Sequence, residues 1–341
     1  MRAKASLVGL ALIASPLPGC YLGHVAAGQW RLLSGRRPIE AVVADPATTP
    51  DLRARLALAA EARALAREQG LEVGKQYTSY VAWPGDRIVT TVVATRPGEV
   101  EPQGFWFPIV GSVPYKGFFD PERAHAEARS LQQQGSDVCE IPVPAYSTLG
   151  WLDDPVTEPM LRGDSGRIVE TIVHELVHAN AFAADAPDWN EGVATFIGQE
   201  AAVRWQAQTA GPEAAARERT RVADDRRVAA ALLALRAEIA ALYTREPAGP
   251  RREAGRAAAE SRARDAVAAL PLATRDAPAL AQALRLNDAC LAIVGTYSAD
   301  LPRYEAWLAS HGGDLAGFVA RVRAAAEAPD PRAALLAPDA T

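Results

Sequence analysis

The chain has 341 residues, 49% hydrophobic and 23% charged, with a formal net charge of −5. That length can bury a substantial core and suits one or two domains. With 36 basic residues against 41 acidic ones, and no basic block interleaved with aromatics, nucleic acid is excluded as an expected partner.

Residues 1–19 read as a leader. Arg2 and Lys4 give a positive start, and the apolar run LVGLALIA at 7–14 is too short to span a bilayer. Leu17-Pro18-Gly19-Cys20 has the form of a bacterial lipobox, so cleavage after Gly19 and lipidation of Cys20 are expected. An ordinary secretory signal with a chance cysteine is the other reading, and both export the protein. Tyr21, in place of Asp after the cysteine, points in a Gram-negative cell to the outer membrane, facing the periplasm. No other stretch is long and apolar enough to span a membrane. An oxidising compartment lets Cys139 and Cys290 pair. Both also sit in apolar settings, where a free thiol is an ordinary small hydrophobe, and sequence does not choose between the two.

Residues 20–75 form an N-terminal helical segment. Pro38 suits a helix start. In DLRARLALAAEARALAREQG, Leu52, Leu56, Ala59 and Ala60 recur at helical spacing, and Gly70 closes the helix. Residues 76–208 form a sheet and a motif-bearing helix. QYTSYVAW and RIVTTVVAT, rich in β-branched and aromatic residues around Pro84-Gly85-Asp86, predict a hairpin. FWFPIVG predicts another extended stretch. Asp120 caps a helix that begins at Pro121, and DVCEIPV returns to strand. Pro142 and Pro144 suit an edge, so VCEIPVPAYSTLGW is the candidate edge or cleft wall against which a peptide adds as a strand.

The stretch RIVETIVHELVHANAFAADAPDWNEGVATFIGQE at 167–200 carries the chemistry. Asp164 or Ser165 can cap a helix here, with Ile168, Val169, Ile172, Val173 and Leu176 on its buried flank and an end near Ala184. His174 and His178 lie one turn apart on one face, as two imidazoles sharing a metal must. Glu175 stands one step round, where a general base is needed. A catalytic zinc takes three protein ligands. Glu191 is the candidate third, a first-turn carboxylate on the next helix after the turn at Ala186-Pro187-Asp188.

Residues 209–328 read as a helical region. Val228, Leu232, Leu235, Ile239 and Leu242 alternate by four and three, a seam for helix-on-helix packing, and Pro247-Ala-Gly-Pro250 breaks it into a hairpin. Residues 329–341 read as a loosely ordered tail.

HELVHANAF followed by PDWNEGVATFIG resembles the gluzincin metallopeptidases. AGQWRLLSGRRPIEAVV, FWFPIVGSVPYKGFFD, AYSTLGWLDDPV and LNDACLAIVGTY extend the likeness, more narrowly, to the family described as putative aminopeptidases of bacterial lipoproteins. The resemblance implies an α+β, mostly helical fold, with a small mixed β-sheet over the HExxH helix and a helical C-terminal half. It implies one zinc ion held by His174, His178 and Glu191, with Glu175 as base. The implied activity is zinc-dependent hydrolysis of a peptide or protein substrate at the cell envelope, with the membrane reached through lipidated Cys20. The chain departs from the pattern in two places. No G-x-M-E-N segment is present to grip a free amine, and Thr195 stands four residues after Glu191, where thermolysin-like enzymes carry an Asp that steadies a histidine.

A peptidase also needs a donor for the developing oxyanion. Tyr115, Tyr146 and Tyr297 lie in the family-like stretches, with Tyr297 and Tyr146 the catalytic candidates. Asp153 and Asp154 are candidates for a free amino terminus, although turn formation before Pro155 also explains them. Glu170, one turn before His174, either orients a ligand or is exposed. His24, His125 and His311 are isolated. The rival reading is a non-catalytic envelope lipoprotein whose metal site is structural or vestigial and whose helices bind a partner. A third is a zinc hydrolase acting on another amide, such as a cell-wall peptide cross-link.

Overall fold

A computed structural model describes residues 21–107 and 111–338. The leader and Cys20 therefore lie outside the described residues. The fold is α+β and mostly helical. It starts with α1 (Tyr21–Ser34), a two-residue strand β1 (Arg37–Pro38) and α2 (Ile39–Ala44), so Pro38 caps that short helix from outside. In α3 (Pro50–Glu68) the Thr49 hydroxyl accepts from Leu52 N, an N-cap that satisfies an otherwise orphan donor. Leu56 and Ala59 are buried as expected, while Ala60 faces out. The helix closes at Gly70, whose φ of 86° is the left-handed conformation that glycine adopts without cost.

The strands follow: β2 (Ser79–Val81), β3 (Val89–Thr95), β4 (Phe105–Phe107), β5 (Gly111–Val113) and β6 (Lys116–Phe118). Then come α4 (Pro121–Gln133), capped by Asp120 through Glu122 N, and β7 (Asp137–Val143) and β8 (Val156–Thr157). The expected hairpin does not form. β2 pairs antiparallel with β1 and parallel with β8, whereas β3 lies between β6 and β7, antiparallel to both. The cause is burial. Every residue of β3 is buried, so it needs a partner on each edge. The residues between β2 and β3 are committed to packing Trp83 and Ile88 with Leu32, Val81 and Val89 instead of closing a tight turn. Among the described residues the strands form three small sheets: the expected mixed one is β1–β2–β8, the second is β6–β3–β7 and the third is β4–β5.

β7 is an edge strand by pairing, as its prolines foretell. Its outward carbonyls at Val138 and Glu140 accept from Asn287 Nδ2 and Arg285, both at 2.8 Å. An added strand cannot use those two acceptors.

The helical part is α5 (Ser165–His178), α6 (Pro187–Ala210), α7 (Pro212–Arg245), α8 (Pro250–Ala268), α9 (Ala277–Ala283), α10 (Asp288–Ser298), α11 (Leu301–Ser310), α12 (Leu315–Ala325) and α13 (Pro331–Leu336). The main core gathers Leu56 of α3, Ile172 and Leu176 of α5, Phe196 of α6, Tyr304 of α11 and Phe318 of α12, all fully buried. Each such side chain contributes roughly 1.5–3 kcal/mol on burial. A second core joins Val228, Leu232, Leu235 and Ile239 of the predicted α7 seam to Ala259 and Ala263 of α8 and Leu291 of α10. The segment expected as a loose tail carries α13, because Leu335 is buried in the main core and its carbonyl accepts from Arg321 Nε at 2.7 Å. β3 and β7 rest on α4 and α10, while β2 and β8 of the mixed sheet share the main core with α5 through Tyr80 and Val156. A disulfide joins Cys139 of β7 to Cys290 of α10.

Candidate metal centre

α5 starts where the sequence says it should: Asp164 Oδ1 accepts from Arg167 N at 2.9 Å. It ends at His178, short of the expected Ala184. Asn180 causes the early stop. Its amide donates to Leu176 O at 2.8 Å and to Glu72 O at 2.9 Å, so the side chain replaces the next helical turn. Asn190 then clamps the connection, accepting from Ala183 N at 2.9 Å and donating to Ala183 O at 2.8 Å. α6 begins at Pro187, inside the expected turn, so Glu191 projects from its second turn and not its first.

Gly198 lets the two helices approach. A Cβ there would lie 2.8 Å from the Glu170 backbone oxygen and 3.5 Å from His174 Cβ. Real Cβ atoms do not come that close to a carbonyl, so a side chain would push α6, and Glu191 with it, away from α5.

The result is convergence. His174 Nε2 and His178 Nε2 lie 3.1 Å apart, with the rings nearly perpendicular at 81°. Glu191 Oε2 is 3.3 Å from the first and 3.5 Å from the second. All three ligand atoms fall within 4.8 Å of one another, a set that can hold a metal ion. The donor chemistry fits one. Glu191 Oε2 is buried without a hydrogen-bond partner, and a buried acceptor left so is costly. Two imidazole nitrogens and a carboxylate oxygen are an ordinary ligand set for zinc. Burial opposes ionisation of Glu191, but the two histidines outweigh it and hold the carboxyl well below the usual range.

Glu175 stands beside the group without joining it. Its carboxylate makes no hydrogen bond to another described residue. Burial raises its pKa, against the lowering pull of His174 and His178. A half-buried, unpaired carboxylate of raised pKa is suited to accepting a proton.

Two tyrosines close the far side. The Tyr115 hydroxyl, from the β5–β6 connection, donates to Glu191 Oε1 at 3.0 Å. The Glu191 charge and burial keep that hydroxyl protonated. Tyr297 lies in the last turn of α10, where the sequence reading had it following a helix, and its ring stands 6.3 Å from that of His174, nearly parallel at 15°. Tyr146 instead packs on Phe119 beside the Trp83 cluster, with ring centres 5.2 Å apart. The sequence ranked Tyr146 above Tyr115. The only signal for the reverse was the place of Tyr115 in PYKGFF, between two short strands.

Several other candidates are engaged elsewhere. Glu170 is neither exposed nor a ligand orienter: it is paired with Arg221 and Arg167. His24 accepts from Phe119 N at 3.0 Å, His125 meets Glu140, and His311 stacks on Trp307. Thr195 makes no hydrogen bond to either site histidine, and His178 Nδ1 is buried without a partner.

Asp153 is exposed, whereas Asp154 is only 1% exposed. The Asp154 carboxylate accepts from Thr148 N at 2.8 Å and from Thr148 Oγ1 at 2.9 Å, and its backbone N–H donates to Gln76 Oε1 at 2.8 Å. It therefore braces the Ser147–Leu152 loop, whose Gly150 sits against Ala179 at the end of α5. Burial lifts its pKa to about 6, against the Thr148 bonds that lower it. Because the folded value exceeds the unfolded one, the folded chain holds this proton more tightly. The resulting stability is full below pH ~4 and is lost as pH rises through about 6, by roughly 3 kcal/mol. Asp154→Asn removes that titration. Relative to wild type, its stability to urea should rise by roughly that amount between pH 4 and pH 7; parallel profiles would refute the assignment.

Two histidines one turn apart, a carboxylate from the next helix and a free glutamate beside them define a candidate metal centre. The family described as putative aminopeptidase matches residues 20–336, and the chain belongs to that family. No curated protein and no solved structure matches it.

Proposed function

We propose that the chain is a zinc-dependent metallopeptidase of the gluzincin type, acting on a peptide or protein substrate at the cell envelope. The observation that carries this reading is the meeting of His174 Nε2, His178 Nε2 and Glu191 Oε2 beside an unpaired Glu175. A zinc ion held by those three atoms would supply Lewis acidity, polarising the scissile carbonyl and making water more acidic. Glu175 takes a proton from the attacking water and hands it to the leaving amine nitrogen. The Tyr297 hydroxyl, carried on a ring stacked beside His174, donates to the oxyanion that develops on the carbonyl. Attack at the amino-terminal bond is the aminopeptidase reading, and it rests on the family. Asp154 is spent on the Thr148 loop, so it is not the group that grips a free amine.

Three ligand donors, and no fourth among the described residues, favour a catalytic over a structural centre. The envelope location rests on the leader at 1–19 and on Cys20 as a lipid anchor in the outer membrane, facing the periplasm. The Cys139–Cys290 disulfide supports an oxidising compartment. Among the described residues no helix is long and apolar enough to cross a membrane.

Metal content by elemental mass spectrometry tests the centre. The purified protein should carry about one zinc per chain, and His178→Ala and Glu191→Ala should each carry less. Zinc retained by Glu191→Ala would move the third ligand elsewhere. A folded, zinc-supplemented parent without metal would favour the non-catalytic lipoprotein.

A further inference from the structure

We propose that Tyr115 is a positioning residue for the metal centre: its hydroxyl fixes Glu191 so that one carboxylate oxygen alone faces the two imidazoles. The inference rests on the metal-centre reading above. Glu191 has three side-chain torsions, and nothing about α6 alone decides which of its oxygens points at the histidines. The Tyr115 hydroxyl decides it by donating to Oε1 at 3.0 Å. Oε2 is then left with no hydrogen-bond donor, 3.3 Å and 3.5 Å from the two Nε2 atoms.

Tyr115 is itself well held. It lies in a two-residue link between β5 and β6, and β6 is paired to β3. Its ring packs against the cluster formed by Val93, Ala289 and the disulfide-linked Cys139 and Cys290. The donor thus comes from the strand side of the molecule and the carboxylate from α6. The bond between them is a cross-brace that neither helix of the motif supplies. A group that orients a ligand typically contributes 10- to 100-fold in metal affinity.

The test is zinc affinity by chelator competition on the purified protein, with Tyr115→Phe beside wild type. The substitution keeps the ring and its packing. Tyr80→Phe is the control, since the Tyr80 hydroxyl also donates to a glutamate, Glu158, at 3.3 Å, but away from the centre. Tyr115→Phe should bind zinc about 10- to 100-fold more weakly, and the visible spectrum of its cobalt-substituted form should change. Tyr80→Phe should match wild type in both. A tyrosine that merely fills space predicts the opposite pattern: Tyr115→Phe, which keeps the ring, would leave zinc affinity and the cobalt spectrum unmoved. That result overturns the proposal while leaving the metal centre standing. A wild type that binds no zinc overturns both.

Discussion

Glu175→Gln should keep its zinc and lose about 10²- to 10⁴-fold in peptide hydrolysis, the usual worth of a general acid–base group. Both halves follow from where Glu175 sits. It is one residue, hence about 100° of helix, away from His174, so it is not among the three atoms that converge. Its carboxylate makes no hydrogen bond to a described residue, so replacing the charge with an amide breaks no brace of the fold. Gln and Glu have similar helix propensities, so α5 keeps His174 and His178 in place. What is lost is the ability to accept a proton. Metal content and kcat, measured on one preparation, separate the outcomes. An active variant would remove Glu175 from the mechanism, and one that loses both zinc and activity would make it part of the metal site.

What the sequence disclosed was local. Asp164 as cap, His174 and His178 on one face, Pro121 and Asp120 opening α4, and the α7 seam are all set within a few residues, so spacing and capping rules reach them. The errors share one cause: contacts between distant segments. β2 and β3 are neighbours in sequence and read as a hairpin, but the burial of β3 is satisfied by β6 and by β7, some 50 residues further on. α5 looked longer because nothing near Asn180 says that its amide will also meet Glu72, 108 residues away. The role of Tyr115 is hidden in the sequence for the same reason. Its partner Glu191 is 76 residues off, and a tyrosine between two short strands looks the same whether it packs or donates. The pairing of Cys139 with Cys290 was open on sequence because both apolar settings suit a thiol, and only the fold brings β7 against α10.

That disulfide should be among the largest single contributors to stability. It closes a loop of 151 residues, and chain entropy assigns such a loop about 5 kcal/mol at most. Cys139→Ala/Cys290→Ala should then melt roughly 10 °C below the oxidised parent in a chain of this size, and reduction of wild type should reproduce most of the shift. The bond also has a particular place in the architecture. β3 and β7 rest on α10 and α4, while the metal ligands lie on α5 and α6. Cys290 is in the first turns of α10, and Tyr297, seven residues on, stands beside His174. The covalent tie thus links the strand side to the helix that carries Tyr297, and it packs against Tyr115 as well. Oxidised and reduced wild type melting at the same temperature would show that α10 is held by its non-covalent contacts alone.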